Sequence, residues 1–314
     1  MEQFFIAVTQ IGIFIILIVI GILTIKFKIL DPYSMEAISK LVIQAALPSY
    51  IFINAIISTT KESILDSLIV IPISVLLYIV LVIVSKIIEG RLHLQGNRKK
   101  VFRASLVFGN VGFMGIPLIT ALYPDTGLLY VSIFTIVDQI VFWTYGVLLT
   151  HPVSGKKSSV SLSHLKNLLS PPLLAILLAL VFIMAKIPVP GVISSALTAM
   201  GNTSMPLALI YIGGVLCACD IRPILKCGEL YAGILIKMIL LPVLFYAVLS
   251  AAGIAGDMAG TLAFLAALPG IEMVPMLAKT SGSDGDYAVC AVMMTTIACF
   301  LTLPIVSLCI ALSG

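Results

Sequence analysis

The chain has 314 residues, of which 61% are hydrophobic and only 10% charged, with a net charge of +4. A soluble domain carries roughly 25% charged residues, so the composition excludes a soluble enzyme, a nucleic-acid binder and a disordered protein. It describes an all-α polytopic membrane protein whose main partner is the lipid bilayer.

A spanning helix needs about 20 mostly apolar residues. Ten such spans follow in order: 5–27, 38–59, 64–86, 102–123, 127–150, 168–186, 191–217, 229–252, 258–280 and 286–312. The first is not expected to be a cleaved secretory signal, because Glu2 replaces the usual basic lead and the apolar run is long. Of the 18 Lys and Arg, all but Lys61, Lys186 and Lys237 lie in or beside the loops that follow odd-numbered spans. Basic residues collect on the cytoplasmic side, which predicts a multi-pass protein of the plasma (inner) membrane with both termini outside. His93, His151 and His164 fall in the same loops and read as surface residues. The six cysteines (Cys217, Cys219, Cys227, Cys290, Cys299, Cys309) lie mostly in apolar runs. With one close pair and no second pair, they predict small packing residues and no metal site.

Five spans lie on either side of the loop 151–167. This predicts a first five-helix repeat in 1–150, a short cytoplasmic linker in 151–167 and a second repeat in 168–314. Five is odd, so the halves insert with opposite orientation, and inverted repeats are a transporter architecture. At an offset of 158, Pro32 falls on Pro190, Pro48 on Pro206, Pro117 on Pro275 and Gly112 on Gly270.

Spans 4 and 9 do not read as plain helices. Span 4 contains Gly109-Asn110-Val111-Gly112-Phe113-Met114-Gly115-Ile116-Pro117, and span 9 contains Leu268-Pro269-Gly270-Ile271-Glu272-Met273-Val274-Pro275. Glycine and proline weaken or remove the backbone ladder, so Gly112, Pro117, Pro269 and Pro275 mark expected helix breaks. Backbone groups freed at membrane depth must meet protein, water or ligand. A half-helix N-terminus suits an anion and C-terminal carbonyls suit a cation. Two breaks in corresponding places predict a substrate site.

Away from the span ends, the charged side chains deep inside spans are Asp138, Lys237 and Glu272. Each costs roughly 2.5–3.5 kcal/mol if charged at mid-membrane, and together they are the ion-coupling candidates. Glu272 lies within a break, which points to a substrate or coupling-ion role. Asp138 stands next to Gln139, and either side chain could face the site. Lys237 can snorkel or pair with a carboxylate. Gln44, Asn54, Asn202, Thr203 and Ser204 serve as ligands or as helix–helix hydrogen bonds. Ser283-Asp284-Gly285-Asp286 is explained by a solvated turn. There is no phosphate loop, His-Glu-x-x-His or nucleophile elbow, so no enzyme activity is expected, and no cofactor beyond a coupling proton or sodium ion.

Asn110-x-x-x-Met114-Gly115-Ile116-Pro117-Leu118 in span 4, and Ala267-Leu268-Pro269 with Ala278-Lys279 in span 9, resemble the auxin efflux carrier family, the PIN-like transporters. Gln139, Trp143 and Leu303-Pro304 extend the resemblance. Gly201, Pro206-Leu207-Ala208-Leu209-Ile210 and Gly213 resemble its bacterial branch, and Lys28-Ile29-Leu30 and Leu47-Pro48 fit as well. Most of the chain is covered. The resemblance implies ten transmembrane helices in two inverted five-helix repeats, with helices 4 and 9 broken and crossing, as in bile-acid-transporter-like folds. It implies a scaffold of spans 1, 2, 6 and 7, a transport domain of spans 3–5 and 8–10, and homodimers through the scaffold. It further implies elevator-type alternating access for small organic acid anions, auxin-like or dicarboxylates such as malate and malonate. Carried over by position, Asn110 and Gln139 are substrate contacts and Pro269 marks the second crossover. The family pattern sets Gly109-Asn110 against Pro269-Gly270, an offset of 160. The chain departs from the plant carriers at Gly109, where they have proline, and at Asp138 and Glu272, where they have apolar residues. Their long hydrophilic loop is reduced to 151–167.

The leading expectation is a secondary active or facilitative carrier of a small carboxylate. Asn110 binds the carboxylate with Gly109, Pro269, Gly270 and Glu272 around it, Gln139 adds a hydrogen bond, and Glu272 or Asp138 carries a proton or sodium ion. The alternatives are a cation/proton antiporter built on Asp138 and Glu272, and a ligand-binding membrane sensor.

Overall fold

The computed structural model describes residues 2–58, 60–153, 171–218, 227–254 and 256–313. Its described elements are helices, joined at one place by an isolated antiparallel bridge. Most of the expected linker, together with Arg222 and Lys226, lies outside the described residues.

Seven helical stretches are long and apolar enough to cross a membrane: Val8–Lys26, Ser34–Ile57, Ser63–Arg91, Gly127–Thr150, Gly191–Cys217, Gly228–Ala251 and Gly285–Ser313. They coincide with expected spans 1, 2, 3, 5, 7, 8 and 10. Spans 4, 6 and 9 contain shorter apolar helices, Val111–Leu122, Pro171–Ala185 and Asp257–Ala267. Length and hydropathy thus carry seven crossings where ten are expected. Spans 4 and 9 fall short because each is interrupted midway, and span 6 is described only from Pro171. Large apolar side chains cover the exterior, among them Ile16, Leu244 and Leu301 at 62%, 64% and 73% exposure. Such a surface belongs in lipid, and the protein is a multi-pass membrane protein.

Four widened turns interrupt the helices, at Val42–Ala46, Val111–Gly115, Phe142–Gly146 and Ile236–Leu240. Three of them are followed two residues later by a proline: Pro48, Pro117 and Pro242. Proline lacks the N–H, and its ring crowds the carbonyl four residues back. A wider turn moves that carbonyl aside and lets the helix continue. Pro117 accordingly lies inside a running helix, Ile116–Leu122, and does not break it.

Glu2–Lys26 lies along Ser204–Ala218, and Leu47–Ser58 lies against Pro171–Ala185 and Gly191–Asn202, which gathers spans 1, 2, 6 and 7. Val70–Arg91 packs on Gly96–Val107 and Gly127–Val141, Leu241–Ala251 on Asp257–Ala267, and Met273–Thr280 on Gly285–Ser313. Glu2–Lys26 also rests on Ile116–Leu122 and Gly285–Ser313, and Leu47–Ser58 and Pro171–Ala185 touch Gly127–Val141.

At the basic end, side chains tie together spans 3, 4, 5, 8, 9 and 10. Arg103 grips the buried Glu89 through both carboxylate oxygens and donates to the Tyr145 hydroxyl at 3.0 Å. Lys99 stands 3.7 Å from Glu89. Arg98 donates to Glu229 from Nε at 2.8 Å and lies 4.5 Å over the Tyr287 ring. Lys100 Nζ donates to the His151 carbonyl at 3.1 Å, and Ser281 Oγ donates to the Thr150 carbonyl at 2.6 Å. Asp284, expected in a solvated turn, accepts from Tyr287 N at 3.2 Å at the start of Gly285–Ser313. Removing Arg103 leaves the buried Glu89 carboxylate with only the looser Lys99 at 3.7 Å, and breaking a buried pair is costly. Arg103→Met is expected to cost about 3 kcal/mol of stability, and the double variant Glu89→Gln/Arg103→Met to recover most of it. Thermal unfolding in detergent decides, and equal losses in the single and double variants would sink the claim.

Candidate functional site

Helix Gly96–Val107 stops where Phe108 becomes extended (φ −100°, ψ 117°), and the chain turns helical again at Val111. Helix Asp257–Ala267 stops at Leu268 (φ −60°, ψ 146°), the extended conformation that a residue before proline favours. It resumes at Met273. The breaks are therefore 108–110 and 268–272. Of the expected breakpoints only Pro269 lies in one. Gly112, Pro117 and Pro275 fall inside the resumed helices, Pro275 in the first turn of Met273–Thr280, where its missing N–H is no loss.

The two breaks cross as a minimal antiparallel pair with Gly109 opposite Gly270. Asn110 N donates to the Pro269 carbonyl at 2.8 Å, and Ile271 N donates to the Phe108 carbonyl at 3.2 Å. A half-turn about the Gly109–Gly270 pair exchanges these two bonds. The local register of the halves is thus Gly109 on Gly270, 161 positions, in place of 158 or 160. Several other freed groups are also met. Gly270 N donates to Thr295 Oγ1 at 3.0 Å, and the Leu268 carbonyl accepts from the Lys237 ammonium. The Asn110 carbonyl accepts from Met114 N at 3.2 Å and Gly115 N at 3.0 Å. This satisfaction is what permits irregular backbone at membrane depth. The approach is close: a Cβ on Gly270 would stand 3.0 Å from the Ser105 carbonyl oxygen.

Asn110 occupies the centre at 1% exposure. Its Oδ1 accepts from Phe113 N at 3.2 Å and caps the resumed helix, while Nδ2 donates to Glu272 Oε1 at 2.8 Å. Glu272 is partly buried and directly precedes Met273–Thr280. The structure therefore brings Gly109, Asn110, Pro269, Gly270 and Glu272 together. From span 7, Tyr211 lies within electrostatic reach of Glu272, with its ring 5.7 Å from that of Phe113.

Asp138 and Gln139 form a second cluster. Asp138, 2% exposed, accepts from the Tyr78 hydroxyl and from Gln139 Nε2 at 3.2 Å. Gln139 Oε1 accepts from Trp143 Nε1 at 3.1 Å. The Tyr78 ring lies against Phe134 and against Phe108 of the first break, with centroids 5.6 and 5.9 Å apart. Asp138 and Glu272 hold separate sets of donors. Lys237, 2% exposed, neither snorkels nor pairs with a carboxylate: among the described residues no Asp or Glu oxygen lies within 4.0 Å of it. Its ammonium instead meets the C-terminal end of Asp257–Ala267, where the helix dipole favours a cation.

A cavity of about 300 Å³ opens between spans 1, 2 and 7 and the resumed helix of span 4. Gln10, Tyr50, Thr120, Asn202 and Ser204 supply its polar wall, and Leu47 and Pro117 part of its apolar wall. The Tyr50 hydroxyl donates to Thr120 Oγ1 at 3.1 Å. Asn202 and Ser204 thus face a cavity, whereas Asn54 and Thr203 bond carbonyls of their own helices. Thr295, Tyr78 and Tyr211 were not anticipated. Thr295 also donates to the Ala291 carbonyl of its own helix at 2.9 Å, and a threonine in an apolar run shows only that local role in the sequence.

A family model described as membrane transport protein matches residues 5–307. A protein of Methanothermobacter thermautotrophicus described as an uncharacterized transporter is 21% identical over 299 residues, covering 93% of this chain and 94% of its own length.

Proposed function

Because this chain belongs to the membrane transport protein family, that of the auxin efflux carriers it resembles, we propose that it is a secondary carrier, active or facilitative, of small organic acid anions across the plasma membrane. The observation that carries this reading is the Gly109–Gly270 crossing with Asn110 at its centre. The helices that resume after each break both begin there, so two positive dipole ends converge on one place. The Asn110 amide adds a donor of the kind a carboxylate accepts. Broken helices in corresponding halves supply such sites in secondary transporters.

Spans 1, 2, 6 and 7 form the scaffold and the dimer contact. Spans 3–5 and 8–10, tied together by Arg103–Glu89 and Arg98–Glu229, move as one body. Their displacement along the scaffold carries the crossing from one side to the other, and the cavity beside span 4 is the approach from one side. Glu272, and behind the crossing Asp138, are the groups available to carry a coupling proton or sodium ion. An antiporter using both carboxylates in one site is less well supported, since each is held by its own donors.

Proteoliposomes preloaded with an organic acid are expected to take up the labelled acid by counterflow. No counterflow with auxin-like acids or with dicarboxylates would overturn the reading. In Glu272→Gln the flux is expected to lose its response to an imposed pH or sodium gradient. An unchanged response removes Glu272 as the coupling residue.

A further inference from the structure

An ammonium at membrane depth is costly, and such residues mark ion or substrate pathways. Lys237 is 2% exposed and has no part in the cycle above. It is the second residue of the widened turn Ile236–Leu240, a kind of turn that recurs at functional sites. Its Nζ donates to the carbonyl of Leu268, the residue that follows helix Asp257–Ala267. The two carboxylates deep inside spans hold donors of their own. Asp138 takes the Tyr78 hydroxyl and Gln139 Nε2, and Glu272 takes Asn110 Nδ2. Among the described residues no Asp or Glu oxygen lies within 4.0 Å of Lys237. Its partner is a helix end, not a carboxylate. Cys299 of span 10 lies within electrostatic reach, with its Sγ donating to the Thr296 carbonyl at 2.9 Å.

The two half-helices that end at the crossing are closed differently. After Gly96–Val107 the Phe108 carbonyl accepts from Ile271 N at 3.2 Å, a neutral donor. After Asp257–Ala267 the Pro269 carbonyl accepts from Asn110 N at 2.8 Å, and the Leu268 carbonyl meets a full positive charge. Carbonyls at a helix C-terminus carry partial negative charge. In secondary transporters such half-helix ends coordinate the coupling sodium ion or proton. An ammonium is a compact point charge, and on a lysine stem it cannot leave. We propose that Lys237 is a resident cation: its ammonium fills the cation place at the end of the span 9 half-helix, where a coupling sodium ion would otherwise bind. Of the two ions named above for coupling, sodium is the one it makes redundant. The transport consequence rests on the carrier reading above, whereas the seat of the ammonium does not.

The test compares salts of equal ionic strength. In detergent the native protein is expected to melt at the same temperature in sodium chloride and in choline chloride. In proteoliposomes it is expected to take up organic acid equally in both. Lys237→Ala removes the charge, leaves room for a small cation and strips the Leu268 carbonyl of its donor. It is expected to melt about 2–4 °C earlier in choline chloride. It should regain most of that loss in methylammonium chloride or sodium chloride, whose cations bind the vacated place. Lys237→Met fills the space without a charge, and is expected to melt early and to gain nothing from either cation. A native protein that sodium stabilises, or whose uptake a sodium gradient stimulates, overturns the proposal. So does a Lys237→Ala protein that neither cation restores, or a Lys237→Met protein as stable and as active as the native one. The native and methionine arms decide even where the alanine protein does not fold. Uptake of no organic acid in either salt overturns the carrier reading and leaves the melting temperatures to decide the proposal.

Discussion

Asn110→Asp is expected to reduce organic-acid counterflow by at least about a hundredfold while the protein still folds. The replacement separates the two jobs of this side chain. As a helix cap, aspartate equals asparagine, so the acceptor for Phe113 N at 3.2 Å is retained. As a donor it fails, because an oxygen now stands where Nδ2 lies 2.8 Å from Glu272. Two carboxylates at that distance cannot both ionise at ordinary cost, and a cargo carboxylate would be a third. Losing a hydrogen bond to a charged group costs about 1.5–3 kcal/mol. Like-charge repulsion adds to this, and a hundredfold corresponds to about 2.8 kcal/mol. Asn110→Ala makes the comparison: it also loses the donor, but gives up the cap and about 1 kcal/mol of stability with it. Measured side by side, both variants should be inactive and only the alanine should melt earlier. Normal counterflow by the aspartate variant would show that Asn110 does not donate to the cargo.

Gly213→Ala is expected to be the most damaging single methyl group in the chain. Its Cβ would stand 2.1 Å from the Ile18 carbonyl oxygen and 3.0 Å from the Gly21 Cα. Gly21 meets the same limit from the other side, 2.2 Å from the Ile210 carbonyl oxygen. The obstructing atoms are backbone, so no rotamer change relieves them. The helices Glu2–Lys26 and Ser204–Ala218 must part, and Ile18, Leu209 and Ile212, each under 5% exposed, lose contact. Helices in lipid are held by close packing across small residues more than by a hydrophobic drive. Overpacking commonly costs about 1–3 kcal/mol, and with backbone on both sides the upper end or beyond is expected. Gly12→Ala is the control, because nothing lies within 4 Å of its added Cβ, and a surface change of that kind stays within about 0.5 kcal/mol. Size-exclusion profiles and melting temperatures of the two variants decide. A Gly213→Ala protein as stable as Gly12→Ala would refute the close crossing.

Much of this architecture can be read in the residues, and the misplaced parts have definite causes. Glycine and proline in spans 4 and 9 identified the interrupted helices. They did not locate the breaks, because proline interrupts a helix only where the backbone cannot adapt. Pro117 follows the widened turn Val111–Gly115, and Pro275 lies in a first turn, so both are absorbed. The break 108–110 contains no proline at all. Prolines inside running helices need not correspond between the halves, which is why matching them suggested a register of 158, whereas the backbone pairing sets 161. Lys237 was open between snorkelling and pairing with a carboxylate, and it does neither.

From the sequence alone came the membrane class, the order of the helices and the two regions where backbone groups are released. These depend on hydropathy and on residues adjacent in the chain. The tertiary structure alone decided which groups answer the released backbone and the buried carboxylate. Thr295 comes to Gly270 from 25 positions away, Lys237 to Leu268 from 31, and Asn110 to Glu272 from 162. A hydrogen bond is selected by distances of about 3 Å and by direction, and at membrane depth no water stands in for a missing partner. The chemistry of the crossing is therefore set by packing between distant segments.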